Sequence, residues 1–397
     1  MYQAKLFGKN RYQLFDTKME NDLREHHEKL RQIVEALALE QFELFYQPKI
    51  NMRSGAIVGA EALIRWQHPQ QGMLLPAAFL KIIEHNPLDI QIGEWVLETT
   101  LRQIGDWQAR GLNLTASVNI SPYHLQQSNF TQRLRDILAR HPNVDPSCLE
   151  LEVLESGSFD NMAYIISLLD ECQEIGVKFA LDDFGTGYSS LNYLKHLPLT
   201  HLKIDRTFVR HILDDPNDLA ILEGIIRISE VFSFNVIAEG VETIQHGEIL
   251  LMLGCELAQG YGIAHPLPAE ELFDWVAKWQ PNNTWKRTLE LNYHDQGLLL
   301  AYVQLRAWLK SLSASGVMPD LSKWRLILWL EDAQDTALGK LPAFQDMKSL
   351  LEQTQLLLDD YVKNQNRMDE VAVNATLAAL KRLPVKMIAV LKDLGWQ

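Results

Sequence analysis

Two adjacent carboxylates, Asp182 and Asp183, follow the apolar run 177–181 and precede a turn that contains Gly185 and Gly187. The run is typical of a buried strand, so its end brings both carboxylates to the edge of a low-dielectric interior. Unpaired carboxylates in that position repel each other and lose hydration unless hydrogen bonds or a cation compensate. A divalent cation is one such compensation. Capping of the following helix by an Asp side chain is the other interpretation that the motif alone allows.

Polar side chains also stand at the ends of the other predicted strands. They are Gln47, Glu61, Arg65, Asn119, Glu152, Glu155, Lys203, Asp205, Glu239, Glu242 and Gln259. Each alone can be an exposed loop residue, but a barrel gathers all of its strand ends on the face where barrel enzymes place their chemistry. Oxygen ligands of this kind suit Mg²⁺ or Mn²⁺, whereas zinc favours His and Cys.

Eight apolar segments supply the strands that would position these residues. They are 44–50, 57–66, 114–120, 149–154, 177–181, 201–205, 235–238 and 257–263. Amphipathic segments between them, including 92–110, 131–140, 162–175 and 219–232, are typical of helices. The fold class is therefore α/β, and the order predicts a TIM-type (β/α)8 barrel. Only NMRSG separates the first two strands, so we expect one antiparallel strand.

Composition limits the classes of function. A net charge of -14 over 397 residues argues against non-specific binding to nucleic acid or to acidic membranes. Cys148, Cys172 and Cys255 are few and lie in apolar surroundings, which favours reduced thiols in a cytoplasmic protein. No apolar run of membrane-spanning length and no signal peptide occur, so we expect no direct membrane contact.

A series of motifs resembles the EAL phosphodiesterases over about residues 20–280. In order they are YQPKINMRSGAIVGAEALIRWQHP, VNIS, LEVLES, LDDFGTGYSSL, LKID, AEGVET and QGYGIAHP. The resemblance implies a barrel that hydrolyses cyclic di-GMP to linear pGpG in bacterial second-messenger signalling. It also implies a site with two divalent metal ions, which activate water and neutralise the phosphate. Ca²⁺ should occupy that site but support little catalysis, because its looser geometry aligns water and phosphate poorly.

The resemblance assigns metal ligands by matching motifs. One metal ion is held by Glu61, Asn119, Glu152 and Asp182. Asp182 bridges to a second ion, which Asp183 holds in part.

Other matched residues receive catalytic or substrate-binding roles. Lys203 orients the attacking water, Glu239 acts near the second metal ion, and Glu155 tethers the loop that carries Asp183. The predicted substrate contacts are Gln47, Arg65 and Gln259. Because metal ions would already neutralise the nearby carboxylates, we expect Lys203 to serve the transition state rather than a structural ion pair. The chain departs from the family pattern at Leu154 and Pro87, and neither is a ligand.

The flanking segments predict three regions: 1–19, 20–280 and 281–397. The opening MYQAKLFGKNRYQLFD resembles the end of a GGDEF diguanylate cyclase domain, so region 1–19 is interpreted as the remnant of an upstream domain. Region 281–397 predicts an all-α helical bundle that resembles the chemoreceptor zinc-binding bundle. At that family's ligand positions stand Leu305, Trp324, Leu351 and Gln355. We therefore expect a regulatory or dimerising bundle without zinc, and its partner stays open.

Two classes of function remain from the sequence. The first is a metal-dependent cyclic di-GMP phosphodiesterase, which the filled ligand positions favour. The second is a sensor that binds cyclic di-GMP without cleaving it and signals through the C-terminal bundle. An unrelated metal-dependent barrel hydrolase would require the motif series to be coincidental. Apolar faces in segments 191–197 and 221–232, where related EAL domains pair, predict a homodimer.

Overall fold

The computed structural model describes residues 17–155, 162–187, 194–290, 296–297, 300–305, 307–308, 325–336, 338–367 and 369–393. The segment that resembles a GGDEF terminus, residues 1–16, lies outside these ranges, as do Trp324 and residues 191–193.

Ten strands of the described residues form one sheet. They are β1 (Phe42–Asn51), β2 (Ile57–His68), β3 (Gly72–Leu74), β4 (Thr115–Ile120), β5 (Leu149–Leu154), β6 (Lys178–Phe184), β7 (His201–Ile204), β8 (Asn235–Ala238), β9 (Leu257–Ala258) and β10 (Leu267–Pro268). The strand order is β10-β1-β9-β8-β7-β6-β5-β4-β2-β3, and β1 also pairs with β2. That pairing closes eight strands into a barrel, with β3 and β10 as short additions.

The antiparallel strand that the sequence predicts is β1. It runs antiparallel to both of its barrel neighbours, β2 and β9, whereas the pairs from β2–β4 through β8–β9 are parallel. The short NMRSG link allows this arrangement because a hairpin needs no crossover helix. The predicted TIM-type barrel is thereby confirmed.

Strand β5 shows why this barrel has a polar interior. Its sequence alternates apolar and acidic residues, yet five of its six residues are buried. Leu149, Leu151 and Val153 join the main apolar core. Glu150 and Glu152 occupy the other face of the strand, where each meets a buried lysine from another strand. The alternation therefore separates an apolar outer layer from a charged barrel axis.

Helices surround the barrel and continue after it. They are α1 (Thr17–Ala38), α2 (Leu80–Ile83), α3 (Pro87–Ala109), α4 (Pro122–Leu125), α5 (Phe130–Ala139), α6 (Met162–Glu174), α7 (Arg206–Arg210), α8 (Pro216–Phe232), α9 (Ile244–Met252), α10 (Ala269–Lys278), α11 (Asn283–Glu290), α12 (Arg325–Ala333), α13 (Pro342–Asn366), α14 (Glu370–Leu380) and α15 (Leu383–Asp393). Pro87 begins α3, where its missing N–H is harmless. Among the described helices, none has both the length and the apolar character needed to span a membrane.

The helices after residue 279 contribute side chains to two separate hydrophobic cores. Trp285 of α11 is 3% exposed and belongs to the main barrel core. Phe344, Met347 and Leu358 of α13 belong instead to a second core that α12, α14 and α15 share. The predicted C-terminal all-α bundle is present. Helix α11, which precedes it, packs against α9 of the barrel.

Candidate active site

Four neighbouring strands bring the predicted metal ligands together at one end of the barrel. Glu61 lies on β2, Asn119 on β4, Glu152 on β5 and Asp182 on β6. The amide nitrogen of Asn119 donates a hydrogen bond of 2.7 Å to Glu61 Oε1. Asn119 is exposed, whereas Glu61, Glu152 and Asp182 are all buried.

Two groups of three carboxylates can each hold a metal ion. Glu61, Glu152 and Asp182 form the first, and Asp182, Asp183 and Glu239 form the second. Within each group, one oxygen from every residue lies within 4.8 Å of the others. Asp182 is common to both groups, so its carboxylate would bridge two neighbouring ions. All of these ligand atoms are hard oxygens, the donors that Mg²⁺ and Mn²⁺ prefer.

Lys203 lies among these carboxylates. Its ammonium is 2.6 Å from Glu152, 2.6 Å from Glu239, 3.0 Å from Asp182 and 3.4 Å from Glu61. The side chain is only 1% exposed. Lys203 thus forms ion pairs with four carboxylates, and the expectation that it serves the transition state once metal ions are bound stays a prediction. Buried carboxylates need a nearby cation, and in this structure Lys203 supplies it.

The single ammonium of Lys203 cannot neutralise the four carboxylates around it. Burial raises the pKa of Glu61, and the neighbouring Glu152 adds to that rise. Burial likewise raises the pKa of Glu239 well above its usual range, against the opposing effect of Lys203. Glu152 behaves differently: although burial acts to raise its pKa, Lys203 and Lys49 together lower it. Ionisation of all of these acids together is thus unfavourable, and binding of divalent cations would stabilise their ionised forms.

The backbone at Asp183 is in an unusual conformation. Asp183 has a φ of +54°, and the pairing of β6 with β7 is irregular between Leu181 and Phe184. A positive φ is uncommon outside glycine, although Asp tolerates it better than most residues. Its backbone N–H donates to Asp182 Oδ1 at 3.0 Å. The irregularity turns two successive carboxylates toward the same place, where a regular strand would point them to opposite faces.

Glu155 holds the loop that follows Asp183. Its Oε2 accepts the backbone N–H groups of Gly185 at 2.7 Å and Gly187 at 3.0 Å. Glu155 N–H also donates to the carbonyl of Asp182 at 3.0 Å. These are the contacts that a loop tether requires.

Asp205 stands at a strand end in the sequence, but no role was predicted for it. Its carboxylate caps α7 by accepting the N–H of Thr207 at 3.0 Å, and it also hydrogen-bonds with Asp183. Burial, together with Asp182 and Asp205, raises the pKa of Asp183 to about 7. By contrast, Glu242 from the same strand-end set is outside the cluster, 3.7 Å from Arg210.

The predicted substrate contacts lie beside the acids. Gln259 donates from Nε2 to Glu61 at 2.7 Å and to Gln47 at 2.9 Å, and Gln47 in turn donates to the carbonyl of Ala264 at 2.9 Å. The Oε1 atom of Gln259 is buried without a hydrogen-bond partner, so its capacity to accept a hydrogen bond is unused. Arg65 donates to the carbonyl of Ile64 at 2.9 Å and lies over the ring of Phe45. Contact of these residues with substrate stays a prediction.

A second buried ion pair was missed by sequence reasoning. Lys49 of β1 is 2.8 Å from Glu150, whose other oxygen bonds Nδ1 of His201. The available signal was one lysine between Pro48 and Ile50 in strand β1, together with the acidic alternation of β5. Long-range pairing across 101 residues cannot be read from either strand alone.

Comparison with known proteins places this architecture in a family. The sequence profile of the EAL domain matches residues 30–266. The bifunctional diguanylate cyclase/cyclic di-GMP phosphodiesterase MucR of Pseudomonas aeruginosa is 40% identical over 278 residues, 70% of this chain and 40% of MucR. The cyclic di-GMP phosphodiesterase PA2567 of the same organism is 36% identical over 250 residues, 63% of this chain and 42% of that protein. The chain thus spans about two fifths of the length of these relatives.

Solved structures agree with the sequence matches. The PaMucR phosphodiesterase in complex with c-di-GMP has a TM-score of 0.60 and 40% identity, covering 62% of this chain and 99% of that one. The EAL enzyme Bd1971 in its cAMP- and cyclic-di-GMP-bound form has a TM-score of 0.61 and 33% identity, covering 64% and 70%. Since the matched profile spans more than half of the 397 residues, this chain belongs to the EAL domain family.

Proposed function

We propose that this chain hydrolyses cyclic di-GMP to linear pGpG, with two divalent ions, Mg²⁺ or Mn²⁺, in its site. The observation that carries the proposal is the pair of carboxylate groups that share Asp182 beside Lys203. The names of the relatives MucR and PA2567 support the choice of cyclic di-GMP as substrate. Bound divalent ions would supply activation of a water molecule and neutralisation of the phosphate charge.

The chain's own residues would divide the remaining work. Glu61, Asn119 and Glu152, with the shared Asp182, would bind the first ion, and Asp183 would bind the second. Glu239 is 18% exposed and contacts Lys203. Near the second ion it would act through a water molecule or, once divalent ions stabilise its ionised form, accept a proton from the attacking water. Lys203 would orient that water and stabilise charge on the phosphate once its carboxylate partners are neutralised. Glu155 would keep Asp183 in place through the glycine N–H groups.

The test is incubation of the purified chain with cyclic di-GMP and Mg²⁺, Mn²⁺ or Ca²⁺, followed by chromatography of the linear product. We expect product with Mg²⁺ or Mn²⁺ and little with Ca²⁺. The isosteric change Glu61→Gln should lower turnover by about 100-fold or more, since loss of even an outer-shell partner of a metal costs 10–100-fold. Glu242→Gln, at a strand end outside the cluster, is the matched control. Binding of cyclic di-GMP without any hydrolysis would contradict the proposal and favour the sensor.

We also propose that the chain forms a homodimer through α8. Ile221 and Val231 of this helix are 44% and 78% exposed, which leaves apolar surface for a second copy. Light scattering at micromolar concentration tests the proposal, and a monomer alone would contradict it.

A reducing, cytoplasmic setting is proposed as well, supported by three free thiols at Cys148, Cys172 and Cys255.

A further inference from the structure

A second lysine lies beneath the metal-binding acids. Lys49 Nζ donates to Glu150 Oε2 at 2.8 Å and reaches Glu152 Oε1 at 3.5 Å. The opposite oxygen of Glu152, Oε2, accepts from Lys203 at 2.6 Å. The side chains of Lys49, Glu150 and Glu152, here called the lower layer, are each 3% exposed or less. Glu152 is therefore held at each of its oxygens by a different lysine.

The lower layer is itself fixed from below. The second oxygen of Glu150 bonds Nδ1 of His201, at the first residue of β7. Lys49 thus cannot move without breaking a contact to β5, and β5 also carries Glu152. Replacing a buried ion pair by apolar residues is often neutral or stabilising. Stability is accordingly a weak explanation for two buried charges at this position, and an effect on Glu152 is the better one.

We propose that Lys49 is a positioning residue for the metal site, an inference that rests on the proposed function. By binding Oε1 of Glu152 from below, Lys49 prevents rotation of the carboxylate and directs Oε2 toward Glu61 and Asp182. A ligand fixed in this way loses less conformational freedom when it binds a metal ion. Lys49 touches neither substrate nor metal in this scheme and acts only through Glu152.

The decisive variant is the double change Lys49→Met and Glu150→Gln. It removes one positive and one negative charge, so the net charge of the barrel interior is preserved. The side-chain amide that replaces the carboxylate of Glu150 can still accept the hydrogen bond from His201, and Met fills the volume of the lysine stem. We expect the melting temperature to stay close to wild type, the affinity for Mn²⁺ to fall about tenfold, and kcat for cyclic di-GMP to fall 10–100-fold with little change in KM. Calorimetric titration with Mn²⁺ measures the affinity without any turnover.

Two further variants make the test selective. Glu150→Gln alone keeps Lys49 on Glu152, so it should leave Mn²⁺ affinity and kcat near wild type. Arg53→Met with Glu256→Gln removes a more exposed ion pair elsewhere on the barrel, and should change neither quantity. Wild-type Mn²⁺ affinity and kcat in the Lys49 double variant would overturn the proposal.

Loss of both quantities in Glu150→Gln alone would overturn it too, because Lys49 is then still present. If the double variant does not fold, Lys49→Arg with Glu150→Gln decides the question: it keeps a cation beside Glu152, so we expect Mn²⁺ affinity to fall less than about threefold if the charge is what positions Glu152, and a fall of about tenfold or more would overturn the proposal. If wild type binds Mn²⁺ but releases no linear product, the proposed function fails. The calorimetric titration would still measure the effect of Lys49 on the affinity for Mn²⁺.

Discussion

Lys203 is the residue on which the electrostatics of the site depend. Among the ion pairs of the described residues, it is the cation that reaches Glu61, Asp182 and Glu239. In the fully buried interior the surrounding acids raise the pKa of Lys203 well above its usual range, although burial itself opposes this. The surrounding acids therefore favour the charged form of this lysine. Its ammonium neutralises part of the negative charge of the surrounding carboxylates, and divalent ions would neutralise the rest.

Changing Lys203→Met should separate this structural effect from catalysis. Removing one partner of a buried ion pair leaves the others uncompensated, so we expect a loss of about 3–5 kcal/mol in the metal-free protein. Excess Mg²⁺ should recover most of this stability, because divalent charge replaces the ammonium. Hydrolysis should remain about 100-fold or more below wild type, since no group then orients the water. Denaturant unfolding with and without Mg²⁺ measures the first effect, and product release measures the second.

The control for this change is Lys29→Met. Lys29 pairs with Glu25 on the surface of α1, where both side chains are largely exposed, and such pairs contribute little. Unchanged metal-free stability in Lys203→Met would show that the four ion pairs do not stabilise the fold.

Asp183 predicts a pH dependence of the metal-free protein. Its folded pKa of about 7 is above the value near 3.9 expected for the unfolded chain. Between these values the folded state binds more protons than the unfolded chain, so this residue's contribution to stability falls progressively from about pH 4 to about pH 7 and then stays constant. Asp183→Asn removes the ionisation and tolerates the positive φ equally well. With chelator present, the melting temperature of the variant relative to wild type should therefore be higher near pH 8 than near pH 5.

Melting curves at several pH values, each recorded for both proteins, measure this difference. The comparison between variant and wild type cancels the opposing contribution of His124, whose pKa burial lowers to about 4. A temperature difference that does not change with pH would mean that Asp183 ionises normally.

At the scale of elements, the loop after β6 depends on one glycine. Gly185 has a φ of +98°, and a Cβ placed there would lie 2.7 Å from Phe208 Cε2. Gly72 has a similar φ of +70° but open space around it. Gly185→Ala and Gly72→Ala should therefore share a backbone cost of about 1–2 kcal/mol. Only Gly185→Ala must also move Phe208 or the loop.

That displacement would shift the N–H groups that Glu155 accepts, and with them Asp183. We expect hydrolysis to fall by up to about 100-fold in Gly185→Ala, because small misplacements of catalytic groups have effects of that size. Gly72→Ala should keep full turnover. Equal activities in the two variants would show that the loop's position does not control the site.

The elements were largely predictable because each barrel strand carries its own apolar pattern and its own polar end. Strand β5 was predicted with the bounds that the structure gives, Leu149–Leu154. Strands β3 and β10 were not predicted, since two or three residues show no periodicity. The contacts of Lys203 and Lys49 were also beyond sequence reasoning, because the barrel's closure decides which distant acids meet each ammonium.

At the scale of the whole molecule, the barrel and the C-terminal helices meet at α11. The division of the chain at residue 280 stays a prediction, but Trp285 lies beyond it and packs in the barrel core. Its indole N–H donates to the carbonyl of Ile244 at 3.0 Å, at the first residue of α9. The barrel face that α9 presents is therefore covered by the segment that leads into the C-terminal helices.

Gly247 allows this contact, and its substitution tests it. A Cβ at Gly247 would lie 2.4 Å from Trp285 Nε1, whereas a Cβ at Gly224 of α8 would meet nothing within 4 Å. Both glycines are helical, so Ala should improve helix propensity by about 1 kcal/mol at either position. In the whole chain, Gly247→Ala should nevertheless destabilise by about 1–3 kcal/mol through overpacking, while Gly224→Ala should be neutral or stabilising. In a chain that ends at Gln280, which lacks Trp285, the penalty of Gly247→Ala should disappear. Denaturant unfolding of these three variants, each against its parent chain, measures these differences. A penalty that persists in the shorter chain would place its cause inside the barrel rather than at α11.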